Sequence, residues 1–218
     1  MDRLHSLRSR FVDAPDSVGA KYRQKRSDLM AAVFPGLPEM TVLDLGGTVE
    51  FWRHSPIRPR HLHVVNLEPL EPDIPEWAEV EVADACDLPS HIRRRTYDLV
   101  FSNSVIEHVG GHLQRQKFSD TVSSLSDRYW VQTPYRYFPV EPHWLCPGMQ
   151  YLPAAARWRV ARHWPLVHTP AIDDSDALNS VLSVDLLSRT EMMIYFPEAR
   201  LLTDRLMGLT KSLVAVKG

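Results

Sequence analysis

Five short, largely apolar runs, each closed by glycine, proline or a polar residue, limit what this chain can fold into. They are TVLDL (residues 41–45), HLHVVNLE (61–68), WAEVEVADA (77–85), YDLVFSN (97–103) and RYWVQTP (128–134). They recur about every 20–30 residues, with helix-length segments between most of them. A nearly continuous apolar strand is one buried on both faces, and alternation with helices gives βα units around a parallel sheet. Near the end, ARLLTDRLMG and KSLVAVKG are separated by a turn too short for a parallel crossover, so these two strands are expected to pair antiparallel.

A chain of 218 residues suits one domain with a sizeable core. Within it, residues 1–36 read as an N-terminal helical cap ending at Phe34-Pro35-Gly36. Residues 133–197 read as a substrate-side elaboration holding Tyr135, Tyr137, Phe138, Trp144, Tyr151, Trp158 and Trp164; for any one of these, completing the core is the plainer expectation. Arg157, Arg159 and Arg162 fall on an expected helix over Ala154–Trp164, where a solvated face is the plainer alternative to meeting an anionic acceptor or a lipid surface. A formal net charge of -2 argues against nucleic acid as partner. Cys86 and Cys146 make neither a metal spacing nor a disulfide framework, and no metal site is expected. The start MDRLHSLRSRF lacks an apolar signal core and no long apolar run follows, so a cytoplasmic protein without stable membrane insertion is expected. Monomer and homodimer both stay open.

Ligands of open α/β sheets bind at the carboxyl ends of the strands. The first strand ends Asp44-Leu45-Gly46-Gly47-Thr48, where glycines admit a ligand close to the backbone and Asp44 can accept from a cationic amine or a water. The second ends at Glu68, whose carboxylate can accept both hydroxyls of a ribose; Asn66 could share that role. At the third tip, Asp84 can accept an exocyclic amine and the backbone after it, at Ala85, can reach a ring nitrogen. Ser102 and Asn103 close the fourth, and a helix is expected soon after Ser104. Four such tips in succession suit a nucleoside ligand.

VLDLGGT, VVNLEP, VADACDLP, YDLVFSNSVIEHV and VQTPYRYFPVEPHW, in this order, resemble the motifs of class I S-adenosylmethionine-dependent methyltransferases, especially the small bacterial type-11-like group. The resemblance runs from about residue 40 to the end, and SNSVIEHV is its most specific part. It implies a Rossmann-like sheet of seven strands in the order 3-2-1-4-5-7-6, the last strand antiparallel, with helices on both faces. It also implies S-adenosylmethionine as cofactor, with Asp44, Gly46, Gly47, Glu68, Asp84 and Asn103 at matching positions. Thr48 is a departure, standing where that family's loop carries a further glycine.

The implied activity is methyl transfer to an oxygen or nitrogen of a small-molecule, glycan-linked or lipid-linked acceptor, leaving S-adenosylhomocysteine. His143 is the candidate general base, with Glu141 orienting it or acting itself. His108, beside Glu107 at the opening of the expected helix, is a second candidate or a capping residue. Tyr22, Arg23 and Arg26 could close over the cofactor as a lid. A nicotinamide-dependent dehydrogenase would need G-x-G-x-x-G after the first strand, and GGTVEF does not supply it. The other alternative is a catalytically silent protein of this fold kept for binding or assembly.

Overall fold

The computed structural model describes residues 18–69, 73–167 and 171–218, with side chains from residue 24 onward. Its strands are β1 (Thr41–Leu45), β2 (His61–Asn66), β3 (Ala78–Val82), β4 (Leu99–Asn103), β5 (Tyr129–Pro134), β6 (Val140–Glu141), β7 (Cys146–Pro147), β8 (Arg200–Leu206) and β9 (Leu209–Lys217). Seven of them form one sheet in the order β3-β2-β1-β4-β5-β9-β8, and β6 and β7 make a separate small hairpin. The pairs β1–β2, β2–β3, β1–β4 and β4–β5 are parallel, while β9 runs antiparallel to both β5 and β8. With the small hairpin set aside, this is the expected seven-stranded topology.

The helices are α1 (Val18–Val33), α2 (Val49–Arg53), α3 (Ser90–Arg93), α4 (His112–Leu125), α5 (Ala154–His163), α6 (Asp174–Leu182) and α7 (Arg189–Tyr195). Because side chains alternate along a strand, β1 feeds two cores. Leu43 and Leu45 pack with Val100, Val131, Phe118 and Val122 of α4 and Met192 of α7. Val42 packs on the opposite face with Leu99, Phe101, Trp130, Met30 of α1 and Trp52 of α2. A third cluster, Trp144, Cys146, Met149, Ala161, Val181 and Leu186, holds the elaboration together.

Some boundaries differ from the sequence reading. β2 stops at Asn66 and β3 at Val82, so Glu68 and Asp84 each lie two residues beyond their strand. The helix after β4 starts at His112, well past Ser104. Ser104 adopts φ 61° and Gly110 φ 106°, so no helix can run through either position, and the segment between β4 and α4 is a loop. His108 therefore sits in a loop rather than at a helix opening. The elaboration is also narrower than 133–197: Thr133 and Pro134 complete β5, and Met192, Tyr195 and Phe196 belong to the main core. A reciprocal capping box explains where α7 begins, with Ser188 Oγ accepting from the Glu191 N–H and Glu191 Oε2 accepting from the Ser188 N–H.

Candidate active site

The turn after β1 is built so that only glycine fits at two successive positions. Gly46 has φ 77°, and a Cβ there would lie 2.6 Å from Val105 Cγ2. A Cβ on Gly47 would overlap the Asp44 carboxylate. Thr48 does something different: it is extended, and its Oγ1 accepts the Phe51 N–H at 3.3 Å, capping α2. This accounts for the missing third glycine, since the position starts a helix through its side chain.

Asp44 is wholly buried. Its Oδ2 accepts the Trp52 Nε1–H at 2.7 Å, and its Oδ1 has no partner. Burial pushes its pKa up to about 7, with the Trp52 bond offsetting part of the rise. Asn66 Nδ2 donates to the Gly47 carbonyl at 3.0 Å and its Oδ1 accepts the Glu68 N–H at 3.3 Å. Asn66 is thus a brace between the two strand tips. Glu68 is exposed. Asp84, also exposed, accepts the Cys86 N–H at 2.8 Å, and Ala85 is packed into the core beneath.

Ser102 is fully buried and its hydroxyl donates to the Leu45 carbonyl at 2.9 Å, tying β4 to β1. Asn103 faces the opposite way, into a cavity of about 530 Å³ lined also by Arg26, Met30, Thr48, Phe51 and Trp130. Arg26 spans this space, donating to Asn103 Oδ1 at 3.0 Å and to Gln132 Oε1 at 2.7 Å. Of the lid candidates, Tyr22 and Arg23 have side chains outside the described residues. Thr48 and Asn103 share the cavity; Asp44 and the Gly46-Gly47 turn lie at the tip of β1, and Glu68 and Asp84 lie further along the rim.

A second constellation stands beyond the tips of β4 and β5. His143 Nδ1 meets Glu141 Oε1 at 2.6 Å, while Glu141 Oε2 accepts the N–H groups of His143 (2.7 Å) and Trp144 (2.9 Å). With both oxygens occupied, Glu141 orients His143. The two rings of His143 and His108 meet through their Nε2 atoms at 3.1 Å. Glu107 is buried, accepts the Thr133 hydroxyl at Oε2 (2.9 Å), and leaves Oε1 without a partner. Burial pushes the Glu107 pKa up to about 7 against its Thr133 bond. For His143, burial opposes protonation, but the Glu141 bond and the fields of Glu141 and Glu107 outweigh it and raise the pKa. For His108, desolvation and then the neighbouring His143 lower it.

Sequence reasoning named both histidines but missed their pairing and the part played by Glu107. A carboxylate between Ile106 and His108 looks like any polar loop residue until β5 brings Thr133 over it. The arginines of α5 are mostly occupied within the elaboration: Arg162 pairs with Asp174 at 2.9 Å, and Arg157 reaches the Val181 carbonyl at 3.4 Å.

No family model and no curated protein matches the chain. Among solved structures, the N-methyltransferase NodS from Bradyrhizobium japonicum WM9 superposes with a TM-score of 0.53 at 10% identity, over 94% of this chain and 98% of that one. Magnesium protoporphyrin IX methyltransferase from Synechocystis PCC 6803, with bound SAH, gives 0.50 at 14% identity, over 100% and 95%. A Rhodobacter sphaeroides protein provisionally described as a Zn-dependent alcohol dehydrogenase gives 0.55 at 10%, over 88% and 87%. The chain has the fold of class I methyltransferases. At these identities the likeness is one of fold, and activity has to be argued from the site.

Proposed function

We propose that this protein is an enzyme that transfers the methyl group of S-adenosylmethionine to an oxygen or nitrogen of a small-molecule, glycan-linked or lipid-linked acceptor. The observation that carries this reading is the Gly46-Gly47 turn, closed to any side chain by Val105 on one side and Asp44 on the other, at the end of β1. Strand order reverses between β1 and β4, the place where open α/β sheets bind ligands. In this reading Asp44, Gly46, Gly47 and Thr48 hold the methionine part, with Ser102 and Asn103 at the neighbouring tip. Glu68, braced through Asn66, takes the ribose, and Asp84 with the Ala85 backbone takes the adenine.

Methyl transfer from a sulfonium depends mainly on positioning. As a base, His143 would use Nε2, the atom that faces His108, so the two rings with Glu141 behind them act as one unit toward the acceptor. The exposed, stacked Tyr137 and Tyr151, with ring centroids 6.4 Å apart, extend the acceptor side. No helix among the described residues is long and apolar enough to cross a membrane, and we take the setting to be the cytoplasm.

Calorimetry with S-adenosylmethionine, S-adenosylhomocysteine and NAD tests the reading. Binding of the first two and not the third supports it. Binding of none favours the silent scaffold, and binding of NAD alone favours the dehydrogenase. Glu68→Ala and Asp84→Ala should each weaken cofactor binding by about 1–3 kcal/mol, because each leaves a buried polar partner unpaired in the complex. Unchanged affinity in both would remove the adenosine from this rim.

A further inference from the structure

We propose that Glu107, His108 and His143 form a binding site for a divalent transition-metal ion, with coordination positions left open to an oxygen ligand such as an acceptor hydroxyl. The ion would take the Nε2 lone pair of His143 and so stands in place of the general-base role given to that atom above. One ligand atom from each of the three lies within 4.8 Å of the others. Around one tetrahedral ion with bonds near 2.1 Å each pair is about 3.4 Å apart, so the ligands must close by up to about 1.4 Å, and His108 is exposed and able to move.

The hydrogen bonds behind the rings decide what the inner atoms offer. Ser183 O can only accept, so His108 Nδ1, 3.3 Å away, is a donor. An ionised Glu141 can likewise only accept, so His143 Nδ1 is a donor. With Nδ1 the donor on each ring, the Nε2 atoms that face each other at 3.1 Å are the ones left to bind an ion. Ligating histidines are typically held so, with the outer N–H on a carboxylate or a backbone carbonyl. The ring centroids are 4.9 Å apart at an interplanar angle of 88°. An in-line N–H···N bond of this length would set them about 5.4 Å apart. Two nitrogens about 2.05 Å from a shared ion and about 3.1 Å apart would set them about 4.8 Å apart. The third donor is independent of the rings: Glu107 Oε1 is buried without a partner, and a cation supplies the charge that a buried carboxylate needs.

Two imidazoles and one carboxylate suit Mn²⁺, Fe²⁺, Co²⁺ or Zn²⁺ better than Mg²⁺, which prefers all-oxygen shells. The other cluster of this kind among the described residues, His63, Glu79 and Glu81, has its carboxylates already paired, to Arg95 and His91.

The test is a Co²⁺ titration of the chelator-dialysed full chain, read by visible absorption and calorimetry, with Mg²⁺ as competitor. One saturable Co²⁺ per chain, displaced by Zn²⁺ and not by equimolar Mg²⁺, is expected. His108→Ala removes an exposed ring, and Glu107→Gln keeps the shape of its side chain; each should weaken binding at least 30-fold, while His91→Ala leaves it unchanged. Circular dichroism melting reports whether each variant is folded. Absence of saturable binding in the parent chain, or undiminished binding in folded His108→Ala, overturns the proposal. Cofactor calorimetry on the same metal-free protein keeps this outcome separate from the fate of the methyltransferase reading.

Discussion

The two rims of the sheet hold similar residues arranged to opposite ends. Toward the amino ends of β2 and β3, Arg95 grips Glu79 at 2.6 and 3.0 Å, and further along β3 His91 meets Glu81 at 2.6 Å. Buried His63 meets the Tyr97 hydroxyl at 2.8 Å and lies 3.5 Å from Glu81. The carboxylates are met by cations close to water, although buried His63 leaves its Nε2 without a hydrogen bond. At the carboxyl ends, Asp44 and Glu107 are buried, each has an oxygen without a partner, and each has a pKa raised to about 7. Placing carboxylates this way costs stability, and such groups gather at functional sites. The contrast supports the carboxyl rim as the candidate site.

The comparison breaks most sharply at Gly47. Gly47→Ala drives a Cβ into the Asp44 carboxylate, and the loss should exceed the about 3 kcal/mol usual for overpacking. Chemical denaturation should show it, along with loss of cofactor binding. Gly111→Ala is the control: nothing lies within 4 Å of its added Cβ and its φ is -71°, so stability should stay within about 1 kcal/mol of the parent.

Asp44 gives the next effect, through pH. Its folded pKa of about 7 lies above the ordinary carboxyl value of 3.8, so between these two the folded state binds the proton more tightly. Its contribution is therefore favourable at low pH and lost as pH rises through about 7. Urea unfolding of the parent and of Asp44→Asn should diverge between pH 4.5 and 7.5, the parent losing on the order of 3 kcal/mol relative to the variant. Glu107 is common to both and cancels. Parallel curves would mean that Asp44 is not desolvated as described.

How much of this could be read from residues alone follows the range of the forces involved. Apolar runs and their spacing carry strand placement, and a link too short for a crossover dictates the antiparallel hairpin, although the turn falls at Met207-Gly208, two residues earlier than the sequence reading placed it. The first two glycines were legible because a positive φ at Gly46 and the clash of a Gly47 Cβ with Asp44 are local, whereas the approach of Val105 to Gly46 is not. Strand ends at Glu68 and Asp84 were overrun by two residues because a polar tip reads the same in a strand or a turn. Three features depend on contacts between separate elements: the Trp52 bond to Asp44, the Arg26 bridge to Gln132, and the meeting of His108 with His143. The members of these pairs lie 8, 106 and 35 residues apart. No periodicity encodes them. Thr48 was misleading in a useful way, its apparent defect in a glycine pattern being the cap of a five-residue helix.

Arg26 tests the carboxyl rim from above. Its Nη1 supplies the shorter of the two bonds to Gln132 Oε1, the other coming from the Ser104 hydroxyl at 3.4 Å. Gln132 is buried, so Arg26→Ala leaves its amide oxygen underpaired and should cost about 1–2 kcal/mol. If α1 closes over a bound cofactor, the same variant should also speed cofactor release in stopped-flow measurements. Lower stability with unchanged release would leave Arg26 as a brace alone.

The smallest effect belongs to the amino rim and completes the contrast. Arg95 and Glu79 keep 42% and 53% of their side-chain surface exposed, so water and salt screen their two hydrogen bonds and ordering the side chains offsets much of the gain. Arg95→Ala should cost only about 0.2–1 kcal/mol, and less in high salt. The neighbouring Glu79 carboxyl, held below its usual range mainly by the Arg95 bond, should return toward that range, which NMR titration of the carboxyl carbon would report. Cofactor affinity should not change, because the pair stands at the far end of the sheet from the glycine turn. A loss as large as that of Arg26→Ala would mean that the amino rim does more than balance its own charges.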